Sequence, residues 1–137
     1  MVQRRTELQH ALGPGLHRQS GTAVLAAVLQ GQRQALDSLT PALPVLERAA
    51  DLAANALMAG GKLGYAGAGS SGLMALADCL EMAGTFGIPP SQTPMLFAGG
   101  AAALLHMVGS VEDDANQAAR DVAAAGLGAG DAVLCVA

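Results

Sequence analysis

The sequence predicts an α/β protein, a three-layer doubly wound parallel sheet preceded by a helical N-terminal arm. Three observations lead there. Residues 1–60 carry apolar side chains at helical spacing and nothing that alternates like a strand. After Lys62 three short apolar runs, Lys62–Ala66, Thr93–Ala98 and Ala132–Ala137, alternate with helical stretches. Strands separated by helices imply right-handed crossovers, and so a parallel sheet.

Taken in order, Thr6 to Leu12 predicts a short first helix, ended by Gly13-Pro14-Gly15. Over Gly21–Leu39, the side chains of Leu25, Val28, Leu29, Leu36 and Leu39 share one helical face. Thr40-Pro41 reads as an N-cap with proline at the first helical position. Leu43, Leu46, Ala50, Ala53 and Leu57 continue one stripe until Gly60-Gly61 stops the helix. The strand Lys62–Ala66 leads through a glycine-rich turn into a helix from about Ser71 to Ala83. Pro89-Pro90 mark a loop, and Thr93–Ala98 is the second strand. Ala101–His106 is helical, and a further helix starts near Ser110. Gly126–Gly130 is a turn before the third strand. One edge of that last strand lacks a partner within the chain. A neighbouring chain or a further segment is expected to cover it, because parallel strands are buried on both faces.

Length and composition narrow the classes. The 137 residues suit one domain, here divided into a helical arm over 1–60 and a ligand-binding part over 61–137. The chain is 52% hydrophobic but only 2% aromatic, so its apolar content is small and straight-chained, which favours helices. A formal net charge of −4 without any run of Lys or Arg removes the electrostatic footprint of a nucleic-acid partner. No apolar run approaches a membrane span. Arg4-Arg5 is separated from the apolar stretch Ala23–Leu29 by polar residues, so an amphipathic helix is expected there rather than a leader peptide. Cys79 and Cys135 form no CxxC pattern and read as reduced, buried thiols of a cytoplasmic protein. His10, His17 and His106 have no metal-ligand spacing, so no metal is expected, and His106 reads as a packed helix residue.

The turn after the first strand carries Gly67, Gly69 and Gly72 with Ser70 and Ser71 between them. Three readings fit it. A tight strand–helix turn would use Ser70 or Ser71 as N-cap. A dinucleotide fingerprint matches the spacing, but it needs an acid at the end of the second strand, where Phe97-Ala98-Gly99-Gly100 stands. A phosphosugar cradle would use the backbone N–H groups and the helix dipole, with both serine hydroxyls as added donors.

The run Gly60 to Gly72 resembles the start of the sugar isomerase domain in the N-acetylmuramic acid 6-phosphate etherases. So do Leu80-Glu81 with Thr85-Phe86-Gly87, Phe97-Ala98-Gly99-Gly100, Ala103-Leu104, His106, and Glu112-Asp113. The blocks stand in family order over roughly residues 60–137, and the helices before Gly60 fit the family's N-terminal arm loosely. The resemblance implies a three-layer α/β fold and a cytoplasmic homodimer. It also implies cleavage of the lactyl ether of a phosphorylated amino sugar to N-acetylglucosamine 6-phosphate and D-lactate, without metal or redox cofactor. It implies acid–base work by the two glutamates that match the family's pair, Glu81 and Glu112. Elimination needs a base beside the sugar carbonyl and an acid for the departing oxygen, and carboxyl groups can supply both. Each glutamate also has a plainer reading. Glu81 would be solvated near a helix end. Glu112 would complement a helix dipole in a first turn capped by Ser110 and Asp113. Asp78 and Asp114 read as solvated helix positions.

The sequence departs from the family at Leu73, where an arginine is usual, at Met82-Ala83-Gly84, where Cys-Pro-Pro is usual, and at Gly109, where a glutamate is usual. These changes bear on how a lactyl carboxylate would be recognised. In the family the last strand leads into a Ser/Thr-rich phosphate loop, so residues 61–137 are expected to be the front part of such a domain. An aldose–ketose isomerase or a phosphosugar-sensing regulatory domain would share this framework. Glu81 lies about 15 Å along its helix from Ser71, at 1.5 Å per residue, which points to a site composed across a dimer.

Overall fold

A computed structural model describes residues 8–11, 13–106 and 111–137. Of the helix predicted over Thr6–Leu12, residues 8–11 are described and form bend and turn rather than helix, while the cap expected at Ser110 lies outside the described residues. The chain forms two compact units, residues 1–46 and 47–137.

In the first unit a 3-10 turn, Leu16–Arg18, precedes helix α1, Gly21–Asp37. Ser20 caps α1 by accepting the Ala23 N–H on its Oγ at 3.3 Å. The predicted cap at Thr40 is not formed. Leu39 is already in the right-handed helical region, so Thr40-Pro41-Ala42 makes a 3-10 turn, with Thr40 inside it and Leu39 at its start. Helix α2, Leu43–Met58, follows and runs on into the second unit.

The second unit is α/β. Strand β1 (Leu63–Gly67) leads into α3 (Gly69–Phe86), β2 (Met95–Phe97), α4 (Gly100–His106), α5 (Ala115–Ala124) and β3 (Ala132–Val136). The sheet has the order β2-β1-β3, and both pairings are parallel. Tyr65 sits opposite Met95 on one side and Leu134 on the other.

Alternation along β1 sorts its two faces. Leu63 and Tyr65 pack with Ala75 and Cys79 of α3 to form the core, and Tyr65 is only 1% exposed. The other face is crowded at Gly64, where a Cβ would meet Leu127 at 3.2 Å, and Ala66 looks across a cleft at α5. Helices therefore lie on both faces. Among the described residues strand β3 pairs with β1 alone, and Val133, Leu134 and Cys135 are exposed, so the edge expected to lack a partner has none there. No helix among the described residues is long and apolar enough to cross a membrane.

A polar clasp joins the start of β1 to elements more than sixty residues away. The Lys62 N–H donates to Asp131 Oδ1 at 2.7 Å, and Asp131 Oδ2 accepts the Gly128 N–H at 2.8 Å. The Lys62 ammonium donates to the carbonyls of Ala125 and Gly126, at 2.7 and 3.0 Å. The Ala125 carbonyl, at the C-cap of α5, is one of that helix's orphan acceptors, and Gly126 follows directly, so the cation stands where the helix dipole favours it.

Candidate functional site

Strands β2 and β3 flank β1 on opposite sides, so the winding direction reverses at the C-terminal end of β1. In open α/β sheets, ligands bind in the crevice at such a point. The glycine-rich turn occupies it. A Cβ on Gly67 would lie 2.8 Å from the Gly72 Cα, and one on Gly72 would lie 2.7 Å from Phe97 Cε2 and 2.9 Å from the Gly67 carbonyl. Both glycines are therefore required by the contact of β1 with the first turn of α3. Gly69 is required by its left-handed backbone, φ +52°.

Helix α3 starts two residues earlier than predicted. Ala68, extended at φ −126° and ψ 155°, is its N-cap, and no side chain caps it. Ser70 and Ser71 are thus the second and third helical residues, which corrects the reading of either as N-cap. A cap needs extended backbone, and both serines are helical. The first intrahelical bond runs from the Gly72 N–H to the Ala68 carbonyl at 2.8 Å. The N–H groups of Gly69, Ser70 and Ser71 precede it in the ladder and make up the uncapped, electropositive end.

Glu112 stands at that end. A Cβ on Gly69 would be 3.1 Å from Glu112 Oε1, so the carboxylate lies against the start of α3. The predicted place of Glu112 in the first turn of a helix is corrected. Helix α5 begins at Ala115, and Asp114 is its N-cap, accepting the Gln117 N–H at 2.9 Å. Asp114, expected to be merely solvated, has the capping role, and Glu112 is left in the preceding turn. There it joins Ala66, Gly67, Gly99, Gln117 and Val136 in lining a cleft of about 370 Å³ between the sheet and α5.

Glu81 is elsewhere. It is exposed on α3, and its Oε2 accepts a hydrogen bond from Thr85 Oγ1 at 2.8 Å. Twelve residues separate it from Gly69, about 18 Å of helix. One chain thus brings together Gly67, Gly69, Ser70, Ser71, Gly72 and Glu112, and leaves Glu81 apart. His106 is exposed at the end of the short α4, not packed as expected, since that helix buries only Ala103. Strand β2 ends at Phe97 and is followed by left-handed Gly99 and Gly100, without an acid for a ribose.

Two polar arrangements escaped the sequence reading. Burial, then a hydrogen bond to Asp78, pushes the Tyr65 hydroxyl far above its ordinary pKa, so it stays protonated. The Thr85–Glu81 bond fixes the direction of a carboxylate that is otherwise free in solvent. Among the described residues, no three His, Cys, Asp or Glu side chains are grouped to hold a metal ion.

No family model matches the chain. Curated relatives do. The N-acetylmuramic acid 6-phosphate etherase of Serratia proteamaculans (strain 568) is 38% identical over 129 residues, 94% of this chain and 43% of the relative. The protein of the same name from Deinococcus radiodurans is 37% identical over 134 residues, 98% of this chain and 44% of the relative. That of Yersinia pestis (strain Pestoides F) is 40% identical over 119 residues, 87% of this chain and 40% of the relative. The chain therefore matches these proteins along most of its own length and spans about two fifths of theirs.

Proposed function

We propose that this chain is the front part of a phosphosugar lyase of the N-acetylmuramic acid 6-phosphate etherase type, with a sugar isomerase-type domain over 61–137 behind a helical arm. The observation that carries the reading is the Glu112 carboxylate set against Gly69, at the uncapped end of α3. The sugar phosphate would take the N–H groups of Gly69, Ser70 and Ser71, with Gly67 and Gly72 keeping the backbone close. The body of the sugar would then extend over Glu112 and the adjoining cleft. The names of the curated relatives supply the substrate, N-acetylmuramic acid 6-phosphate.

The reaction on this reading is an elimination followed by a hydration. In the open-chain sugar a carboxylate removes the proton beside the carbonyl. A carboxylic acid then protonates the oxygen of the departing D-lactate, and water adds to the resulting double bond to give N-acetylglucosamine 6-phosphate. Glu112 and Glu81 fill the two roles. Since Glu81 lies about 18 Å along α3 from the loop, it would serve the loop of a second copy in a cytoplasmic homodimer. Neither step draws on a metal or redox cofactor.

That same distance favours a second reading for an isolated chain, a phosphosugar-sensing domain that binds without turnover. Thermal unfolding with N-acetylmuramic acid 6-phosphate, and with inorganic phosphate and NAD as controls, separates the cases. A ligand at about 100 times its dissociation constant adds about 2.7 kcal/mol. The lyase reading expects a shift with the sugar phosphate and release of D-lactate. It also expects both Glu81→Gln and Glu112→Gln to abolish lactate release while keeping the shift. A shift without lactate, unchanged by Glu81→Gln, would establish the sensor. Sugar-phosphate interconversion without lactate would establish an isomerase.

A further inference from the structure

We infer that Thr85 is a positioning residue for Glu81, holding that carboxylate in one direction while leaving it able to change its proton. The inference rests on the lyase reading, in which Glu81 is one of the two acid–base groups. Thr85 stands four residues after Glu81 on α3, the spacing that brings two side chains together on one helical face. Its Oγ1 donates to Glu81 Oε2 at 2.8 Å. A threonine hydroxyl in a helix commonly turns back to the backbone carbonyl of the preceding turn. Here it is given to a carboxylate instead. Thr85 is exposed, so it fills no place in the core, and its β-branch does nothing for the helix. The bond to Glu81 is what the side chain contributes.

Two features of α3 make that bond a guide for the carboxylate rather than an incidental surface contact. The first is that the turn carrying Thr85 is pinned. Gly87, left-handed at φ 68°, ends the helix, and the N–H groups of Gly87 and Ile88 both reach back to the Met82 carbonyl, the second at 3.1 Å. A donor on a fraying end would direct nothing, but this one stands on a closed turn. The second is the kind of donor. The last turn of α3 holds no basic residue, so the carboxylate meets a hydroxyl there and not a cation. An ammonium or guanidinium group only donates, and its charge would hold a carboxyl ionised. A hydroxyl donates to a carboxylate and accepts from a carboxylic acid, so the contact survives both protonation states. Elimination and hydration take an acid–base group through both. With Oε2 held by Thr85, Oε1 is the oxygen that Glu81 presents to the sugar.

The test follows side chain and turnover together in the full 137-residue chain. Beside it stand Thr85→Val, which removes the hydroxyl at nearly constant shape, and Thr85→Ser, which keeps it. The Hα–Hβ proton couplings of Glu81 should show one dominant rotamer in the natural chain and in Thr85→Ser, and averaging in Thr85→Val. With N-acetylmuramic acid 6-phosphate, Thr85→Val should lower kcat for D-lactate release about 10-fold at an unchanged KM and an unmoved thermal midpoint. Misplacing a reacting group slows the chemistry without loosening the bound sugar. Thr85→Ser should retain most of the rate. Averaged couplings in the natural chain would overturn the inference. So would a Thr85→Val rate equal to the natural one while Glu81→Gln abolishes release. Equal losses in the valine and serine variants would also overturn it, by assigning the effect to shape and not to the hydroxyl. A folded natural chain that binds the sugar phosphate without releasing lactate would remove the lyase reading itself, and this inference with it.

Discussion

At Gly72 the distance between two atoms decides what the sequence can tolerate. A methyl group there would collide with backbone at 2.9 Å and with the Phe97 ring at 2.7 Å, and the backbone cannot yield as a flexible side chain would. Gly72→Ala is therefore expected to destabilise by about 1–3 kcal/mol, the usual range for overpacking. Gly84, in the last turn of the same helix, meets nothing within 4 Å. Gly84→Ala should stabilise by about 0.5–1 kcal/mol through helix propensity alone. Urea unfolding of the two variants should move the midpoint in opposite directions. A Gly72→Ala midpoint equal to that of the natural chain would mean that β1 and α3 can part without cost. The spacing of the three glycines was visible in the sequence. That two of them answer to each other's backbone was not, because the contact is made by a chain reversal that no local pattern records.

Helix α3 carries the core on one side and solvent on the other, and its thiol shows which is which. Cys79 faces β1 and donates its S–H to the Thr93 carbonyl at 3.2 Å, and burial pushes its pKa up. Cys135, on β3, is exposed. The sequence reading took both as buried, which holds for Cys79 and is corrected for Cys135, because β3 is an edge strand. A thiol-reactive chromophore should label Cys135 at once and Cys79 only after unfolding. Two equally fast thiols would show that α3 does not shield its inner face. Most elements were legible because their signals are local. These are the glycines around the first loop, Pro89-Pro90, the apolar run of β3 and the leucine stripe of α1. The turn before α5 was misread because Asp114, Asp113 and Glu112 are all acceptable near a helix start, and only the geometry shows which one caps. The candidate site was half legible. The separation of Glu81 from the glycine-rich turn could be read from helix rise in the sequence itself, whereas the approach of Glu112 to Gly69 is made by tertiary structure that no local pattern records.

Across the whole second unit, the Lys62–Asp131 clasp draws together the starts of β1 and β3 and the end of α5. Its acidity gives it a measurable signature. The N–H groups of Gly128 and then Lys62 stabilise the Asp131 carboxylate and hold its pKa below the ordinary aspartate value. A folded pKa below the unfolded one adds stability at every pH above about 4, and that stability is lost as pH falls through the lower, folded value. Asp131→Asn should therefore be less stable than the natural chain at neutral pH, and the difference should shrink in acid. Urea midpoints measured from neutral pH downward would check this. A difference that stayed constant with pH would mean that the carboxylate's charge plays no part in the clasp.

The position of β1 between two partners also sets a timetable for the growing polypeptide. Its first neighbour, β2, is complete at Phe97, but its second, β3, is complete only at Val136. At roughly 5–20 residues per second of synthesis, about 40 further residues leave one side of the central strand bare for some two to eight seconds on the ribosome. During that interval β1 is itself an edge, with Leu63 and Tyr65 awaiting the rest of the sheet. The nascent chain, more than the finished one, is where this protein stands to need a chaperone.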